Sequence, residues 1–168
     1  MAGKRWMNTV CWCLSVLMLV ALGIQYFSPW RWVIVLGSSV SGSLALMETR
    51  AELATRAHPG EYVVLRWQGV DPNRQPRLKQ GMKLIKRIAC GPGQRLLVTA
   101  HEAICDGRTL GAVRDRNLKG QSLNSALYDG IVPQGRYFVM GDHPASYDSR
   151  YLGLISESWI VGRLVLKL

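Results

Sequence analysis

The sequence predicts a mainly β fold carried on one N-terminal transmembrane helix. Three observations predict it. An uncharged run from Trp6 to Trp30 opens the chain. Short β-branched or aromatic stretches follow, with Gly, Pro and Asp turn signals between them, and no later stretch sustains a helical period. A length of 168 residues suits one domain and leaves no room for two cores of normal size. Hydrophobic residues make up 48% of the chain and charged residues 19%, which excludes a disordered protein.

Residues 1–5 carry Lys4 and Arg5 with no acid, so this end is read as cytoplasmic. Residues 6–30 are read as the anchor, because about 20 residues of helix cross a bilayer. Cys11 and Cys13 fall inside it. A cleavable leader ending at Ala21-Leu22-Gly23 is the competing reading. The apolar core is longer than that of a usual leader and continues through Ile24-Gln25-Tyr26-Phe27, which favours the anchor. Residues 31–168 are then an exported domain.

The first predicted strand is Trp32-Val33-Ile34-Val35-Leu36, and Ser41-Gly42-Ser43 follows it beyond a turn. A glycine-flanked serine near a strand end can present its hydroxyl to a carbonyl, and a neutral lysine can take its proton. On its own the tripeptide reads as an ordinary loop. The apolar run Leu44 to Met47 is read as a surface that brings the site to the bilayer. From Arg50 to Arg87, nine basic residues (Arg50, Arg56, Arg66, Arg74, Arg77, Lys79, Lys83, Lys86, Arg87) stand against three acids (Glu52, Glu61, Asp71). Without the interleaved aromatics of a base-stacking surface, this excess suits a solvated face near anionic lipid headgroups better than nucleic acid.

Two further strands are predicted at Tyr62-Val63-Val64-Leu65-Arg66 and Lys83-Leu84-Ile85-Lys86-Arg87-Ile88, with a turn at Asp71-Pro72-Asn73-Arg74-Gln75-Pro76 between them. Period-two alternation puts Lys86 on one face with Leu84 and Ile88, and Lys83 and Arg87 on the other. A charged lysine on an apolar face is costly, so burial lowers its pKa and favours the neutral amine that a general base requires. The alternative is an edge strand whose lysine bends out to water. After the turn Cys90-Gly91-Pro92-Gly93, Cys105 closes a short loop with Cys90. That pair is a disulfide candidate worth about 3 kcal/mol, with two free thiols as the alternative. His58, His101 and His143 are scattered, so no metal site and no cofactor are expected.

Strands at Arg95-Leu96-Leu97-Val98-Thr99, Arg136-Tyr137-Phe138-Val139-Met140 and Ile160 to Leu166 complete the domain. The loop Gly141 to Gly153 leaves the second of these and concentrates acid, hydroxyl and guanidinium groups. Asp148 and Arg150 can pair, and Ser146 can hydrogen-bond a nearby amine. The plainer alternative is a polar loop with a surface ion pair worth under about 1 kcal/mol.

As an ordered set, these segments resemble the type I signal peptidase family, the membrane-anchored serine–lysine endopeptidases of clan S26. The set comprises the anchor, Ser41-Gly42-Ser43-Leu44, Gly60-Glu61-Tyr62-Val63-Val64, Ile85-Lys86-Arg87-Ile88 with Gly91-Pro92-Gly93, and the Gly141 to Gly153 loop. The resemblance spans essentially the whole chain. It implies a signal-peptidase-like β catalytic domain with Ser43 as nucleophile and Lys86 as general base. It places the oxyanion hole at the Ser41 hydroxyl and the Ser43 N–H. Ser146 would orient the lysine amine, with Asp148, Arg150, Gly141 and Asp142 in support. The implied chemistry is acyl transfer on exported precursor proteins. The implied location is a bacterial inner membrane, with the catalytic domain periplasmic.

The sequence also departs from the housekeeping members. Leu44-Ala45-Leu46-Met47-Glu48-Thr49 replaces their Met and Pro-Thr, the segment from Lys86 to Gly141 is too short for an extra domain, and Tyr147 separates Ser146 from Asp148. These features look more like the compact TraF-like peptidases of conjugative transfer systems, which mature pilins. The resemblance to that subfamily implies that the acyl-enzyme is resolved by the substrate's own N-terminal amine, giving a cyclic pilin, in place of water. The alternatives are a housekeeping signal peptidase and a non-catalytic basic component of a transfer or secretion apparatus. The last predicts salt-sensitive binding that survives Ser43→Ala.

Overall fold

A computed structural model describes residues 2–34, 44–49, 57–75 and 78–167. The expected site residues Ser41 and Ser43 lie outside the described residues. Helix α1, Ala2–Phe27, runs for 26 residues without a proline and is built largely from good helix formers such as Leu, Met and Ala. Its Trp12, Leu14, Leu17, Met18 and Leu19 are 61–73% exposed. Among the described residues, no helix is long and apolar enough to cross a membrane. Where the sequence suggested an anchor extending to residue 30, the helix stops at Phe27 and Trp30 opens the first strand.

The remaining chain forms two antiparallel sheets. The larger contains β1 (Trp30–Ile34), β2 (Leu44–Glu48), β3 (Tyr62–Arg66), β4 (Lys83–Cys90), β9 (Arg136–Met140), β10 (Ile155–Ser156) and β11 (Ile160–Lys167). Their order is β1-β2-β11-β3-β4-β9-β10. The smaller contains β5 (Arg95–Val98), β6 (Glu102–Cys105), β7 (Arg108–Ala112) and β8 (Tyr128–Ile131), in the order β7-β6-β5-β8. One further short helix, α2, spans Ser149–Leu152.

Two expectations change here. The predicted strand Trp32 to Leu36 begins earlier, at Trp30, and residues 35–36 lie outside the described residues. The run Leu44 to Met47, expected to face lipid, belongs to β2, which β1 and β11 pair on either side. Alternation along β2 sends Ala45 and Met47 into the interior, where they are 0% and 4% exposed. Pairing on both edges satisfies the backbone of the run, and only the opposite face, where Leu46 is half-buried, is left to the outside.

Strand β9 is buried on both faces and separates two cores. Tyr137 and Val139 pack with Val63, Leu65, Trp67, Ile88 and Ile155. Phe138 and Met140 pack with Cys90, Leu96, Val98, Cys105 and Tyr151. The β4–β9 register shifts between Ile88 and Cys90, a bulge that lets β4 supply side chains to both cores. Of the two cysteine states the sequence left open, the disulfide is the one formed: Cys90 is bonded to Cys105, which ties β4 to β6 and so one sheet to the other.

Candidate active site

Strand β4 places Lys86 deep in the larger sheet. It lies between β3, where Val63 is its register partner, and β9, so the edge-strand alternative does not apply. Lys86 is 3% exposed, while Lys83 on the same strand is exposed and Arg87 is partly buried. The Lys86 Nζ donates to Ser146 Oγ at 2.7 Å. Burial pushes the amine down from 10.5 to about 8; Arg150 pushes the same way, while Asp148 and Asp142 partly oppose it.

The loop leaving β9 is fixed by an ion pair in the interior. Asp148 and Arg150 are 0% and 2% exposed, so the surface pair considered from the sequence is instead a buried one. Arg150 Nε and Nη2 donate to the two oxygens of Asp148, each at 2.9 Å, in a bidentate fork. Asp148 also caps α2 by accepting from the Arg150 backbone N–H at 3.2 Å, and it accepts from the Gly141 N–H at 3.0 Å. The rest of the guanidinium binds carbonyls: Nη1 donates to Ala112 at 2.7 Å and Pro144 at 3.1 Å, and Nη2 donates to Ser146 at 3.1 Å. The side chain that meets Lys86 therefore has its own backbone held by Arg150.

Asp142 follows Gly141 at the exit of β9. Its carboxylate accepts from the Tyr62 hydroxyl at 2.7 and 2.8 Å and lies 3.8 Å from Arg87 Nε. Tyr147 donates its hydroxyl to Asp71 and stacks on Tyr151 at 5.4 Å. Burial, then the bond to Asp71, raises the pKa of Tyr147. Ser149 Oγ accepts from the Val139 N–H at 3.0 Å and so joins the loop back to β9.

The structure thus brings together Lys86, Ser146, Asp148, Arg150, Gly141 and Asp142. Sequence reasoning missed Tyr62 and Arg87 as partners of Asp142, and Ser149 and the Ala112 carbonyl as supports. The only available signal for the first pair was the cross-strand register of Tyr62 with Arg87, which a single sequence does not print. Among the described residues, no group of three His, Cys, Asp or Glu is placed to hold a metal. A buried amine close to neutrality beside a fixed hydroxyl can accept a proton from a third group brought within reach.

A family model described as signal peptidase, peptidase S26 matches residues 6–168. A protein of Agrobacterium fabrum named conjugal transfer protein TraF is 35% identical over 81 residues, covering 47% of this chain and 45% of that protein. Its namesake in Agrobacterium tumefaciens is 38% identical over 80 residues, covering 46% and 44%. Signal peptidase I V of Bacillus subtilis is 32% identical over 90 residues, covering 47% and 54%. The chain spans about half the length of the curated relatives it matches. A solved signal peptidase I from Enterococcus faecalis superposes with a TM-score of 0.38 at 22% identity, covering 64% of this chain and 96% of that one.

Proposed function

Because the chain belongs to the signal peptidase S26 family, we propose that it is a serine endopeptidase that cleaves exported precursor proteins through an acyl-enzyme. The observation that carries this reading is Lys86: an amine 3% exposed, 2.7 Å from Ser146 Oγ, and lowered to about 8. In the proposed reaction, neutral Lys86 takes the hydroxyl proton of Ser43 as that oxygen bonds to the scissile carbonyl carbon. The carbonyl electron pair moves onto oxygen, where the Ser41 hydroxyl and the Ser43 N–H hold it; such a donor is worth about 3 to 4 kcal/mol. Collapse breaks the C–N bond, and the leaving amine takes the proton from the Lys86 ammonium. Ser146 orients the amine throughout, and Asp148 with Arg150 keeps Ser146 in place.

The likeness to two proteins named conjugal transfer protein TraF supports a conjugative pilin as the precursor. Water would then release the product, or the substrate's own amine would close it into a ring. Residues 1–5 are proposed to be cytoplasmic, 6–30 to anchor the protein in the inner membrane, and 31–168 to lie on the outer side. The exposed Trp12, Leu14 and Leu17 of α1 support that placement.

Ser43→Ala and Lys86→Ala should each abolish precursor processing while the protein stays folded and in the membrane fraction. Full processing by either variant overturns the reading. Mass spectrometry of the processed pilin distinguishes the two releases, since a ring weighs one water less than the linear product.

A further inference from the structure

A cleft of about 460 Å³ opens between β7 and the start of the loop that leaves β9. Leu110, Gly111 and Ala112 form one wall, and Gly141, Asp142, His143 and Pro144 form the other. Its floor is kept low by Gly111, where an added Cβ would come 3.3 Å from Met140 Cε. The cleft is one guanidinium away from the lysine. Arg150 touches the Ala112 and Pro144 carbonyls of its walls and the Ser146 carbonyl behind them, and Ser146 Oγ holds Lys86.

The lining carries a positive excess. Arg87, Arg114 and Arg150 stand on it against Asp142 as its one acid, Arg150 being paired with Asp148. Both oxygens of Asp142 accept from Tyr62, and Arg87 pairs with the same carboxylate at 3.8 Å. Arg114 is exposed and has no ion-pair partner among the described residues. Strand β7 is an edge of its sheet, paired with β6 alone among the described residues, so backbone groups along its outer side, apart from the Ala112 carbonyl that Arg150 holds, are open to another strand. Such an edge recognises extended peptide, and an unpaired guanidinium such as that of Arg114 recognises carboxylate.

We infer that the cleft binds an acidic segment of the precursor, extended along β7 within a few residues of the bond to be cut, with Arg114 receiving its carboxylate. The inference rests on the peptidase reading and names a feature of the substrate that the reading leaves open.

The test uses the full chain in proteoliposomes. Its probes are model precursors with a signal segment ending in Ala-x-Ala and with Glu, Lys or Ala placed in turn at each position near the cleavage site. At one or two neighbouring positions, Glu should raise kcat/KM about fivefold over Lys, the scale of a partly exposed ion pair. The ratio should fall to one or invert in Arg114→Glu and shrink as salt is raised. Arg136→Glu, the same charge change outside the cleft, should keep the ratio. The inference is overturned if no position prefers Glu, if the preference survives Arg114→Glu, or if Arg136→Glu removes it equally. Cleavage of the Ala precursors without discrimination between Glu and Lys sinks the cleft alone. If the wild-type chain cleaves none of them, the peptidase reading falls first and the inference with it.

Discussion

Lys86 meets two opposing demands: a buried place in a central strand and an ionisable group at its tip. The folded amine gives up its proton near pH 8, against 10.5 in the unfolded chain. Catalysis by the neutral form should therefore climb with pH toward about 8 and level off above it, with about one-tenth of the enzyme neutral at pH 7. A pH–kcat/KM profile checks this, and a plateau already reached at pH 6 contradicts it. Stability moves in the same direction. Between about 8 and 10.5 the unfolded state binds more protons, so stability rises with pH across that window and the full penalty of about 3 kcal/mol applies below it. Lys86→Met should accordingly be the more stable protein at pH 7, by up to about 3 kcal/mol, with the gap closing toward pH 10.5 in denaturant titrations. The neighbouring ion pair predicts the opposite effect. Asp148→Ala strands the Arg150 charge in the interior and should cost about 3 to 5 kcal/mol in the same measurement. At this scale much was legible, because strand alternation marks Lys86 and a short loop gathers Ser146, Asp148 and Arg150. The pairing of Arg150 with Asp148 was legible, but its three carbonyl partners were not, because their positions depend on tertiary packing.

Elements, more than single side chains, bring the parts of the site into register. Strand β2 begins next to Ser43 and is pressed against β11 so closely that a Cβ at Gly162 would lie 2.8 Å from the Glu48 carbonyl oxygen. Across this contact Arg163 binds Glu48 at 3.3 Å and Glu61 at 3.2 Å, linking β2, β11 and the approach to β3. Gly162→Ala should separate the strands, destabilise by about 1 to 3 kcal/mol and lower precursor processing. Unchanged processing would mean that the start of β2 is not held from this side. The disulfide from Cys90 to Cys105 acts at the same scale. Cys105→Ala should lower unfolding stability by about 3 kcal/mol. The strongly apolar strands were legible from composition, but β7 and β8 were not. Arg108-Thr109-Leu110-Gly111-Ala112 and Tyr128-Asp129-Gly130-Ile131 carry glycine and charge in mid-strand, and they are strands because their neighbours pair them. Strand β2 was not recognised as a strand, since an apolar run of four does not show which of its side chains turn inward; Ala45 and Met47 do.

In the whole molecule, a basic chain with 21 Lys and Arg against 11 Asp and Glu combines a two-sheet body with a long N-terminal helix. With the proposed anchor, the full chain should remain in the membrane pellet after alkaline carbonate extraction, and its release would remove that placement. The mainly β body could be read in advance; its division into two sheets, with β9 of the larger one buried between two cores, could not, because no local pattern announces that one strand will be covered on both sides. The Ala112 carbonyl limits any attempt at miniaturisation. Although the lysine, its serine and the ion pair all belong to the larger sheet and the loop from β9, one arm of Arg150 is anchored on β7. Trimming the small sheet, or grafting the Gly141 to Gly153 loop onto a foreign scaffold, would leave a buried guanidinium short of an acceptor. The smallest transplantable site therefore includes both sheets.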